Sequence, residues 1–189
     1  FAVEAVEAAN GKSLSLEVVA DDLKTMTSQG VILGSWGPNV AVKIPITTTS
    51  GESCLPVVRA LLDEGITVNI TAIMTDDQVR GLLDATQDQD SLIVSVFAGR
   101  IADTGVDPVP IMTQYAQWFK GLASVKLLWA SPREVLNVVQ AAECGCDIIT
   151  VTPDVLKKLD TLDKDLTIFS LETVEMFYND ACAAALEIV

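Results

Sequence analysis

One lysine, Lys43, interrupts the otherwise apolar run Val40-Ala41-Val42-Lys43-Ile44-Pro45-Ile46. A run this rich in β-branched residues, followed by turn residues from Thr47 to Gly51, reads as a strand buried on both faces, as in a parallel sheet covered by helices. Side chains alternate along a strand, so Val40, Val42, Ile44 and Ile46 share one face and Ala41 and Lys43 the other. An amine held in such surroundings loses hydration, which favours its neutral form, the form that attacks a carbonyl to make a Schiff base. The blander reading is a lysine whose stem reaches back to solvent. Histidine is absent from the whole chain. Ser-His-Asp and Cys-His triads and imidazole bases are therefore excluded, and protons must move through carboxylate, lysine, hydroxyl or water.

Other polar residues recur at matching places. Glu17, Lys43, Thr71, Phe97, Ser131 and Thr150 follow one another at intervals of 26, 28, 26, 34 and 19 residues. Strand-plus-helix units of about this size are the repeat of a βα barrel. The strands read as Leu14 to Ala20, Val40 to Ile46, Ile66 to Ala72, Ser91 to Phe97, Val125 to Ala130 and Asp147 to Val151. Helices are expected over Phe1 to Asn10, Asp21 to Ser35, Gly51 to Glu64, Thr75 toward Asp88, Pro110 to Lys120, Ser131 to Cys144, Pro153 to Leu159 and Thr167 to Val189. The stretch from Ala98 to Pro108 reads as a loop. Gly30 to Gly34 lacks the Lys-Ser/Thr ending of a phosphate loop and reads as a turn.

The fold class is therefore α/β, a TIM (βα)8 barrel with six βα units in this sequence, folded as a single domain over residues 1–189. A closed barrel of this kind has eight strands. Either two strands precede Phe1 or the sheet is open, and the helical start without methionine favours a chain missing its first two strands.

In such a barrel the reacting groups converge at the carboxyl ends of the strands. Lys43 would form a Schiff base with a ketose, turning its carbonyl into an electron sink for carbon–carbon cleavage. Glu17, with a water held by Thr71, would carry the protons. Asn69, Ser95 and Ser131 would hydrogen-bond sugar hydroxyls. Arg100 and Arg133 offer planar forks suited to a phosphate.

At these residues the sequence resembles the transaldolase family of class I aldolases. The resemblance is carried by Ser-Leu-Glu-Val (15 to 18), Val-Lys-Ile-Pro (42 to 45), Asn-Ile-Thr (69 to 71), Ser-Val-Phe-Ala-Gly-Arg (95 to 100) and Ala-Ser-Pro-Arg (130 to 133), in the family's order. It implies that Lys43 is the Schiff-base lysine, Glu17 the acid/base carboxylate and Thr71 the water holder. Asn69, Ser95 and Phe97 would face the substrate, with Arg100, Ser131 and Arg133 at its phosphate. It implies a sugar phosphate substrate, no cofactor and no metal. Small relatives reach a neighbouring subunit with their last helix, so a homo-oligomer is expected. A fructose-phosphate aldolase branch carries glutamine at the Glu17 position and tyrosine at the Phe97 position. A carboxylate facing a phenyl ring is the transaldolase arrangement, with proton transfer falling to Glu17. The family's first two strands carry an active-site aspartate and asparagine, and this sequence contains neither strand. Aldol cleavage on the same scaffold and a non-catalytic, barrel-derived binding protein are the alternatives.

Composition sets outer bounds. The chain has 189 residues, half of them hydrophobic, with a formal net charge of −14. That charge speaks against nucleic-acid partners, which require clustered Lys and Arg. No apolar run reaches spanning length, so no membrane partner is expected and the location is expected to be cytoplasmic. Cys54, Cys144, Cys146 and Cys182 lack zinc or disulfide spacing and are expected as buried free thiols.

Overall fold

A computed structural model describes residues 2–185. The chain divides into two compact units, Phe1–Val151 and Thr152–Val189.

In the first unit a short helix α1 (Ala2–Ala8) leads into β1 (Leu14–Glu17), and strands and helices then alternate. Helix α2 (Leu23–Gly34) is followed by β2 (Val40–Pro45), α3 (Leu55–Asp63), β3 (Val68–Ile73), α4 (Asp76–Ala85) and β4 (Leu92–Val96). Helices α5 (Ala98–Asp103) and α6 (Pro108–Trp118) precede β5 (Val125–Trp129), and α7 (Leu136–Glu143) precedes β6 (Ile148–Ile149). All six strands are parallel and lie in chain order, β1-β2-β3-β4-β5-β6. A doubly wound sheet reverses its strand order at a switch point, whereas strands laid down in sequence are those of a barrel wall.

The two faces of this wall differ as the alternation of the strands requires. Outward-facing Val42, Ile44, Ile70, Val94 and Trp129 are fully buried against helix residues such as Leu61, Leu82 and Met112. Each contributes roughly 2 kcal/mol of apolar burial. On the inner face Ala41 of β2 clusters with Ile93 of β4 and Leu128 of β5, and Ile148 of β6 packs against the same cluster. Side chains from β2 and β6 can share one cluster only if the sheet curls, and the six strands form a half-barrel.

Two expectations for this unit are corrected. The stretch from Ala98 to Pro108 is not all loop, because it contains α5, whose Gly99 is buried against the loop after β5. Gly30 to Gly34 is the last turn of α2 rather than a turn outside it. Its glycines serve packing, since a Cβ on Gly30 would lie 2.7 Å from Leu61 of α3 and one on Gly34 about 3.0 Å from Ile66.

The second unit consists of α8 (Pro153–Lys157), a 3-10 turn (Lys158–Thr161) and α9 (Leu166–Ala183). Asp165 caps α9 by accepting from the Thr167 and Ile168 amides. Leu171, Val174, Phe177, Tyr178 and Ala181 all lie on α9, which has no buried residue. Of the helix expected to Val189, the last four residues lie outside those described.

Candidate active site

The register of β1 on β2 sets Glu17 directly beside Lys43. Lys43 Nζ donates to Glu17 Oε2 at 3.1 Å. Both sit where their strands end, and the loops beyond are braced. The Thr49 amide donates to Asp21 Oδ1 at 2.8 Å, joining the loop after β2 to the loop after β1. Gln29 Oε1 accepts from the Val19 and Ala20 amides at 2.9 and 3.1 Å, which fixes the exit from β1.

The strand around Lys43 is not buried on both faces, as its apolar composition implies. Lys43 keeps 30% of its side-chain surface, because the inner face of the half-barrel is an open concavity rather than a packed layer. The apolar run is explained by the outer face and, on the inner one, by Ala41 and the half-buried Pro45.

Next to Lys43 in register stands Asn69 of β3. Its amide is held from both sides: Ser95 Oγ donates to Oδ1 at 2.7 Å, and Nδ2 donates to Ser15 Oγ at 2.9 Å. Beyond Ile70 the register of β3 on β4 shifts, and Ala72 takes a left-handed backbone conformation with φ of 64°. Such an irregularity re-aims a side chain at a strand end. Thr71, beside it, is 3% exposed, and its Oγ1 is buried with no hydrogen-bond partner among the described residues. A buried hydroxyl in that state is costly unless a further group or a water meets it.

Lys43, Asn69, Thr71, Ser95, Phe97 and Ser131 line one cavity of about 330 Å³ at the carboxyl ends of the strands. Ser15 and Thr150 line it too. A cavity of about 340 Å³ opens at the other end of the sheet, but its only ion pair among the described residues, Lys126 with Asp147, sits at 3.1 Å with both groups half exposed.

Ser131 also adopts a left-handed conformation, with φ of 60°. Its carbonyl oxygen occupies the space where a Cβ on Gly99 would be, only 1.6 Å away, so Gly99 is the residue that lets the loop after β5 close onto α5.

The two arginines stand apart from this cavity's lining. Arg100 lies over the Phe97 ring, 4.9 Å from its centre. Arg133 reaches Asp103 at the end of α5, with Nε donating at 3.1 Å and Nη2 also in contact. Asp103 is held below the usual carboxylate range, first by the hydrogen bond from Arg133 and further by the charges of Arg133 and Arg100. Arg133 thus pairs directly with Asp103, while Arg100 rests on Phe97 and acts on that carboxylate only through its charge. Asp103 and Ser15 are the residues that sequence reasoning missed. For Ser15 the signal was present, since it lies two positions before Glu17 on a strand; for Asp103 it was not, because its spacing from Arg100 has meaning only on α5, which the sequence did not show.

The thiols match expectation in part. All four are free; Cys54 and Cys144 are buried, Cys146 is half-buried and Cys182 is exposed. Among the described residues no group of histidine, cysteine or carboxylate side chains is arranged to hold a metal ion.

A parallel βα half-barrel with a lysine, a carboxylate, an amide and hydroxyls gathered at its strand ends defines the class. The chain belongs to the transaldolase/fructose-6-phosphate aldolase family, whose pattern it matches over residues 1–187. It is 37% identical over 161 residues to a probable transaldolase of Nitrosopumilus maritimus (strain SCM1), covering 84% of this chain and 68% of that protein. To the probable transaldolase of Chelativorans sp. (strain BNC1) it is 35% identical over 147 residues, 77% of this chain and 64% of the relative. The chain therefore spans about two thirds of the length of these relatives. In fold it is similar to mandelate oxidase in its structure with benzoyl-formic acid, with a TM-score of 0.54 and 16% identity over 79% of this chain and 51% of that one. No helix among the described residues is long and apolar enough to cross a membrane.

Proposed function

We propose that this protein is a transaldolase, which moves a dihydroxyacetone unit from a ketose phosphate to an aldose phosphate through a Schiff base on Lys43. The observation that carries this reading is the 3.1 Å contact between Lys43 Nζ and Glu17 Oε2 at the strand ends. An ammonium must surrender a proton before its lone pair can attack, and Glu17 is the acceptor within reach. The amine adds to the ketose carbonyl to give a carbinolamine. Glu17 returns its proton as water leaves, and an iminium forms.

The iminium then accepts the electron pair of the breaking carbon–carbon bond. The proton of the neighbouring hydroxyl passes to Glu17 or to a water hydrogen-bonded to it, and an aldose departs. The enamine left on Lys43 adds to the second aldehyde, and water releases the product. The orphan Thr71 hydroxyl supplies the position for the water, being buried, polar and unpaired. Asn69, Ser95 and Ser131 bind the sugar hydroxyls. Arg100 and Arg133 receive the phosphate, Arg133 by exchanging its Asp103 partner for it.

Transfer is favoured over simple aldol cleavage because the ring lining the cavity at position 97 is a phenylalanine without an acidic proton, which leaves proton transfer to the Glu17 carboxylate beside Lys43. Incubation of the purified protein with fructose 6-phosphate and borohydride should leave a reduced adduct on Lys43, located by peptide mass. With erythrose 4-phosphate added, sedoheptulose 7-phosphate should accumulate. Free dihydroxyacetone produced without an acceptor would make the protein an aldolase instead, and an unmodified Lys43 in folded protein would end the Schiff-base reading.

A further inference from the structure

The geometry points to Ser15 as a positioning residue: it holds the Asn69 amide in the plane and orientation that let Asn69 and Ser95 receive the ketose donor. The inference rests on the proposed chemistry at Lys43 and extends it to a residue outside the set assigned there.

The side chains concerned come from three strands. Asn69 on β3 and Ser15 on β1 are 54 residues apart in sequence and separated in the sheet by β2, yet Nδ2 and Oγ meet at 2.9 Å. The β2 residue in register with Ser15 is Ala41, which shares the inner face with Lys43. A methyl group leaves the passage across β2 free; a larger side chain at position 41 would stand in it. The Asn69 terminal torsion is broad and twofold, so the side chain's own rotamer preference does not fix the amide plane. Contacts at both ends do fix it. With Ser95 donating to Oδ1, the Ser95 proton is committed, and its oxygen is left as an acceptor beside the cavity it lines. With one Nδ2 hydrogen on Ser15, the other is left for a ligand oxygen. The cavity therefore offers an acceptor and a donor side by side, next to Lys43 in register, which suits vicinal oxygens such as those of a hydroxyketone. Without Ser15 the amide is tethered at one end only, and both groups lose their aim.

Steady-state kinetics with fructose 6-phosphate as donor and erythrose 4-phosphate as acceptor test this on the protein at its natural length. Ser15→Ala should raise the donor KM about 5- to 10-fold, the worth of one hydrogen bond at a buried amide, with kcat changed less and the acceptor KM unchanged. Ser15→Thr, which keeps the hydroxyl, should restore the donor KM to within about twofold, and Ser15→Ala added to Asn69→Ala should have no further effect. A Ser15→Ala enzyme like the parent would mean that water replaces the hydroxyl, and an equal loss in both backgrounds would mean that Ser15 does not act through Asn69. Either result overturns the inference.

Protection by fructose 6-phosphate against thermal unfolding reads the same affinity without turnover. If the parent shows no Lys43 adduct but Ser15→Ala still weakens protection, the proposed function falls and the positioning role stands. A normal adduct with unchanged protection sinks the positioning role alone. No protection of the parent at all sinks both.

Discussion

Glu17 and Thr71 do different things to the chain, and substitution separates their chemistry from their packing. Glu17→Gln keeps the size and a hydrogen bond to Lys43 but removes the proton acceptor. It should lower kcat by about 100-fold or more with little change in donor KM, as read by coupled assay. Thr71→Val replaces the hydroxyl with a methyl of the same shape. Because Oγ1 has no protein partner, the folded state should lose no stability in urea denaturation, whereas kcat should fall by at least about tenfold if a water there carries protons. The thiols give a second readout at this scale. Burial first, then the neighbouring Cys144 and Asp147 charges, push Cys146 up to about 12, and burial pushes Cys54 upward as well. At pH 8 iodoacetamide should label the exposed Cys182 first and leave Cys54, Cys144 and Cys146 largely intact in the folded protein, as judged by peptide mass.

At the scale of elements, the junction of α5 with the loop after β5 is the most constrained part of the site. Gly99 donates its amide to the Ala130 carbonyl at 3.2 Å and leaves no room for a Cβ against the Ser131 carbonyl. Gly99→Ala must push α5 and Ser131 apart. It should cost about 1–3 kcal/mol of stability, measured by urea unfolding, and should weaken substrate binding as well, because Phe97, Arg100 and Ser131 all move with that junction. The same junction explains why α5 was hidden in the sequence. It is a six-residue helix containing a glycine and followed by Gly105, and it exists because it packs, not because its residues favour helix. The long helices were legible, since their caps are local: Thr75 and Gln78 form a reciprocal capping box on α4, and Asp22 accepts from the Thr25 amide on α2.

Across the half-barrel, one buried ion pair links consecutive βα units. Arg59 of α3 donates Nη1 and Nη2 to Asp90 at 2.5 and 2.9 Å, and Nη1 also reaches the Ala85 carbonyl at 3.1 Å. Asp90 is 3% exposed and also accepts from the Gln87 amide. Removing the partner strands a buried charge, so Arg59→Ala should cost about 3 kcal/mol at neutral pH. Asp90 is held below the usual carboxylate range, chiefly by the Arg59 hydrogen bonds. A carboxylate lowered in this way binds protons less readily when folded than when unfolded. Its contribution is therefore complete above about pH 4, the ordinary carboxylate value, and is lost as pH falls through the lower folded value. Urea midpoints of the parent should drop as pH falls below about 4, and Arg59→Ala should show a shallower decline over the same range.

By itself the sequence determined the strands, their inner and outer faces, and the residue types at their carboxyl ends. These follow from a two-residue alternation and from hydrophobicity, which act locally along the chain. Lys43, Glu17, Asn69, Thr71 and Ser95 were legible for that reason. Only the tertiary structure decided that the Asn69 amide crosses β2 to Ser15, that Arg133 turns to Asp103, that Lys43 stays partly exposed and that the Thr71 hydroxyl is left without a partner. Each of these depends on strand register, on the curl of the sheet and on one irregularity in β3, which bring together groups up to 54 residues apart. Local pattern says which way a side chain points, and the packing of the whole sheet decides what it meets there.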